Sequence, residues 1–116
     1  MLEWDKMMNL NVRPQFQLLS LAVPFLKLSR GPGLEKGNAV ILSSTAGDTA
    51  QPGSCIYSTS MSMLNMLVKC SALEEAYQGV RVNAVAAGVT HTQARMKKDS
   101  LAFTDSKNKT FLAEAS

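Results

Sequence analysis

Histidine occurs once in the 116 residues and cysteine twice. A single histidine, His91, excludes a His-x-x-x-His metal pair. Metal sites need several ligands, so His91 reads as a solvated loop side chain. Cys55 and Cys70 are 15 positions apart. On one helix that is roughly 22 Å along the axis, too far for a disulfide. Two free thiols suit a reducing, cytoplasmic compartment. Aromatic residues make up only 6% of the chain, which argues against a base-stacking platform. A net charge of +3 is too small an excess to point to nucleic acid. Long hydrophobic runs are also lacking. The longest apolar stretch, residues 18–26, is broken by Ser20 and Pro24 and cannot span a bilayer, so no membrane partner is expected. A charged leader followed by a small-residue cleavage site is missing, which argues against a signal peptide and makes the Asn108-Lys109-Thr110 sequon a chance match. Neither a Gly-x-Gly-x-x-Gly nor a Gly-Lys-Ser/Thr loop occurs, so no phosphate cradle is visible.

The hydrophobic share, 46%, is that of a globular chain, and the length fits one domain at most. Trp4, Met8, Leu18, Leu19, Ala22 and Leu26 recur at helical spacing and predict a helix over residues 2–28. Pro14 and Pro24 bend it or divide it into shorter segments. Residues 29–38 (SRGPGLEKGN) predict a loop. Residues 39–43 (AVILS) form a continuous apolar run, the pattern of a parallel strand buried on both faces. After a second loop over residues 47–54, a long helix is predicted over 55–78. Tyr57, Met61, Leu64, Val68 and Ala72 form its apolar face, and Met63, Leu67 and Leu73 widen it. Gly79 suits the helix end. Residues 80–86 (VRVNAVA) predict a second strand, followed by a turn over residues 87–90. Residues 1–92 make up the domain. Residues 93–116 read as a polar tail, with a short helix over 93–103 and disorder beyond. Its basic residues, Arg95, Lys97, Lys98, Lys107 and Lys109, are interrupted by Asp99, Asp105 and Glu114, as on a solvated face.

Strand, crossover helix and strand predict a parallel βαβ unit. Two strands alone leave both sheet edges open and too little covering structure, so such a unit lacks strands or takes cover from a partner.

Three residues point to chemistry. Ser44 follows the first strand and Tyr57 begins the long helix, so a hydroxyl and a phenol can converge on one oxygen. That arrangement suits proton transfer at a carbonyl or alcohol, with Ser44 holding the oxygen and Tyr57 as acid or base. Each residue also has a plain alternative. Ser44 can cap a turn, Tyr57 can edge the core, and Asn11 can be a polar group inside a helix.

The ordered motifs resemble the C-terminal half of a short-chain dehydrogenase/reductase. Trp4 to Asn11 is similar to that family's helix with a catalytic asparagine. VILSSTAG at 40–47 resembles its strand and catalytic serine. Tyr57-Ser58-Thr59-Ser60 follows Ser44 at the family's spacing of 13, and RVNAVAAG at 81–88 resembles the next strand and turn. The resemblance implies an α/β fold that is part of a Rossmann-like, doubly wound parallel sheet. It implies hydride transfer between an alcohol and a ketone with NAD or NADP. Asn11 would support a relay water, Ser44 would hold the oxygen of a small carbonyl or alcohol substrate, and Tyr57 would be the acid/base. Tyr57, Gly88, Thr90 and Thr92 would face the cofactor. The two long helices, 2–28 and 55–78, would pair with those of a second copy or of a full-length relative.

The chain departs from the family pattern in three places. The family's Tyr-x-x-x-Lys reads Tyr57 to Met61 here. A cation at i+4 lowers a phenol's pKa from about 10, and in the family it also holds the nicotinamide ribose. Methionine does neither and fits a core or interface. Lys69 lies about 18 Å along the helix from Tyr57 and roughly 120° around it, so it is no substitute. Ala87-Gly88 replaces a proline-glycine turn, and the glycine-rich cofactor-binding half is missing. The expectation is therefore a chain inactive by itself, with a dimerising relative or an unfolded fragment of a longer reductase as alternatives.

Overall fold

The computed structural model describes residues 1–28 and 36–89. The first helical arm has three parts: α1 (Leu2–Met7), a π-helical turn (Met8–Val12) and α2 (Arg13–Leu26). Pro14 accounts for the wide turn. In α-register its ring would meet the carbonyl of Leu10 and offer it no hydrogen. Widening the turn by one residue relieves the clash without ending the helix. Pro24 stays inside α2, which stops at Leu26 rather than residue 28.

The strand β1 (Asn38–Ser44) leads into a short 3₁₀ turn (Thr45–Gly47). The long helix α3 (Cys55–Ala76) follows, and then β2 (Arg81–Ala87). β1 and β2 pair in parallel from Asn38 opposite Arg81 to Ser44 opposite Ala87. The helix therefore serves as the crossover of the expected βαβ unit. Gly79, at φ +78°, lets the chain reverse after α3, so that the Val80 amide returns to the Glu75 carbonyl at 3.3 Å. Lys27 and Glu75 pair at 2.8 Å and join the end of α2 to the last turns of α3.

The core lies between the helices and one face of the sheet. Leu19, Ile41, Met61, Leu64, Val68, Val80 and Val82 form it, with Val23 and Leu26 packed against it. Three expectations change. On the first arm the inward stripe is Leu19, Val23 and Leu26, whereas Trp4 and Leu18 stay exposed. On α3, Met63 and Leu73 face outward and do not widen the core face. Along β1 burial alternates. Ile41 and Ser43 turn inward, while Val40 and Leu42 are 61% and 70% exposed. A parallel strand is apolar on both faces because it is meant to be covered on both, and among the described residues only one face is. No helix among them is long and apolar enough to cross a membrane. The predicted tail, residues 93–116, lies outside the described residues.

Candidate active site

Ser44 ends β1 in extended conformation (φ −139°, ψ 147°), and its Oγ accepts the Ala46 amide at 3.2 Å as the cap of the 3₁₀ turn. The plain reading of Ser44 as a turn cap is thus correct, and it does not consume the residue. An accepted bond leaves the hydroxyl proton and a second lone pair for another oxygen. Tyr57 stands in the first turn of α3, 38% exposed. No hydrogen bond joins Ser44 to Tyr57 among the described residues. What relates them is the seating of the turn on α3. A Cβ on Gly47 would come within 2.7 Å of the Met61 carbonyl carbon, so only glycine permits this approach. The Ser62 hydroxyl donates to the Gly47 carbonyl, and the Ser43 hydroxyl donates to Asn65 Oδ1 at 2.5 Å.

Asn11 lies in the π-helical turn. Its Nδ2 donates to Ser60 Oγ at 3.0 Å and also lies 3.0 Å from Met7 Sδ. Ser60, fully buried, donates in turn to the Tyr57 carbonyl at 2.7 Å. The asparagine side chain therefore braces the helix turn that carries the phenol and reaches Tyr57 through its backbone. Sequence reasoning missed Ser43, Ser60, Ser62 and Asn65. For Ser62 and Asn65 the signal was present: with Ser58 they recur at i, i+4, i+7, a polar stripe along a helix otherwise read for its apolar face.

Gly88 follows β2, and a Cβ there would meet nothing within 4 Å. Thr90, Thr92 and His91 lie outside the described residues. A cleft of about 630 Å³ opens between α1 and the start of α3, walled by Lys6, Met7, Leu10, Cys55, Ile56 and Tyr57 among others. Of the three candidate catalytic residues, Tyr57 alone lines it. Cys55 and Cys70 are both free and exposed. No cluster of metal-ligating side chains occurs among the described residues.

Among the described residues, the side chains around Tyr57 do not make up a full set for a nicotinamide cofactor. One turn beyond the phenol, where the family pattern noted above has its ribose-holding lysine, Met61 is buried in the core and has no donor to offer.

The sequence model of the short chain dehydrogenase family matches residues 1–101. The chain is 35% identical over 96 residues to an uncharacterized oxidoreductase of Thermotoga maritima, covering 83% of this chain and 36% of that one. The match thus spans about a third of that relative's length. The solved structure of ElxO with NADP bound superposes with a TM-score of 0.72 at 28% identity, over 90% of this chain and 40% of that one. The 3-hydroxyacyl-CoA dehydrogenase type-2 of Mycobacterium avium, 24% identical, gives a TM-score of 0.73 over 87% of this chain and 40% of its own, which shows the shared fold. The βαβ unit with its preceding helical arm is therefore part of a Rossmann-like sheet, and the chain belongs to the short-chain dehydrogenase family.

Proposed function

We propose that this chain carries the substrate-side half of an alcohol–ketone oxidoreductase site but does not itself transfer hydride. The observation that carries the reading is Met61. It stands one helical turn from Tyr57, in the position of the family's lysine, and is 6% exposed within the apolar core. Ser44 retains a free hydroxyl proton for the oxygen of a small carbonyl or alcohol, and Tyr57 is the proton donor or acceptor. Asn11 positions Tyr57 through Ser60. NAD or NADP supplies the hydride in relatives of this kind. These 116 residues contain no glycine-rich loop to cradle its pyrophosphate. The exposed free thiols suit a reducing, cytoplasmic setting.

Calorimetric titration of the 116-residue chain with NADH and NADPH, with circular dichroism to establish folding, tests this reading. The expected result is a folded chain with no saturable binding. Saturable binding of either dinucleotide would overturn it.

A second reading, pairing, rests on a different observation. Leu10, Phe16, Leu21 and Phe25 on the first helical arm and Met66 and Leu73 on α3 are all more than half exposed. Apolar surface on this scale marks an interaction face. A second copy, or a full-length relative, would cover it through the same two helical arms.

A further inference from the structure

We propose that Asn65 is the positioning residue that fixes Ser44 relative to Tyr57; this rests on the reading of Ser44 as the group that holds the substrate oxygen. Asn65 spans both ends of the serine turn. Its Oδ1 accepts from the Ser43 hydroxyl at 2.5 Å, immediately before Ser44, and its Nδ2 donates to Asp48 Oδ1 at 2.9 Å, just past the 3₁₀ turn. A carboxylate only accepts, so Asp48 dictates which way the amide faces, and that orientation presents the carbonyl oxygen to Ser43. The Ser43 hydroxyl is buried, and Asn65 accepts its proton. Between the two anchors the Gly47 carbonyl accepts from Ser62, and Gly47 lies against the Met61 backbone. The turn is thus held at its start, middle and end on one helix. Tyr57 is on the same helix, eight residues earlier, about 12 Å along the axis. Helix α3 therefore acts as a rigid ruler between hydroxyl and phenol, and Asn65 clips the serine end to it.

The test is the single variant Asn65→Asp and the reciprocal double variant Asp48→Asn/Asn65→Asp, made in the full 116-residue chain. The single variant sets two carboxylates against each other. The double restores one donor and one acceptor and keeps an acceptor for Ser43. Amide hydrogen exchange is read at Ala46, which donates to Ser44 Oγ, and at Asp48 and Thr49, which donate to the Thr45 carbonyl. Leu64 and Val68 in the middle of α3 serve as controls. The single variant is expected to speed exchange at the three turn amides about tenfold with the controls unchanged, and the double to return them to the parent rate. Unchanged turn exchange in the single variant, no recovery in the double, or equal acceleration at the controls would overturn the proposal. The readout needs neither cofactor nor turnover, so its failure is distinct from failure of the function reading, which the dinucleotide titration decides.

Discussion

Met61 and Tyr57 sit four residues apart on α3, yet one faces the core and the other is 38% exposed. Met61 is 6% exposed within the apolar core, so a cation at this position would be buried without a partner, which is costly. Met61→Lys is therefore expected to lower the unfolding free energy of the 116-residue chain by about 3 kcal/mol, read from the midpoint of a urea titration. A variant as stable as the parent would show that a side chain at 61 escapes to the surface, as a working lysine would need to. The loss of the lysine was legible in the sequence, because it is a matter of identity and spacing. The clip of Asn65, Ser43 and Asp48 was not. Those residues lie up to 22 positions apart, and only the docking of the turn on α3 brings them together.

At the scale of elements, periodicity placed both strands and both helical arms within a few residues of their observed limits. It was less successful on faces. Trp4, Leu18 and Leu19 all enter one predicted helical repeat, but only Leu19 is buried: Leu18, its neighbour on α2, points about 100° away around the helix, and Trp4 lies on α1, before the π-turn at Met8–Val12. Proline chemistry foretold a disturbance near Pro14, though not that a wider turn would keep the arm continuous. That turn carries Asn11, and Ser60 joins it to α3. Ser60→Ala deletes a fully buried bridge and leaves the Asn11 amide without its oxygen acceptor. It should cost about 1–2 kcal/mol in the same urea titration. A loss below about 0.5 kcal/mol would mean that the two arms hold together by apolar packing alone.

For the whole molecule, the decisive feature is cover. Val40, Leu42 and Val85 leave one sheet face bare among the described residues, and Phe16, Leu21 and Phe25 leave a helical face bare. Sedimentation of the 116-residue chain at micromolar concentration is expected to give a dimer or larger species. A well-dispersed monomer would remove the pairing reading. The family of the chain, its βαβ order, and the identities at 11, 44, 57 and 61 were fixed by sequence alone, since each depends on residue type and on spacing within one or two elements. Whether Met61 is buried, what Asn11 bonds to, and how the serine turn is clipped to α3 depend on contacts between residues distant in the chain. Local propensity carries no information about such contacts, and packing decides them.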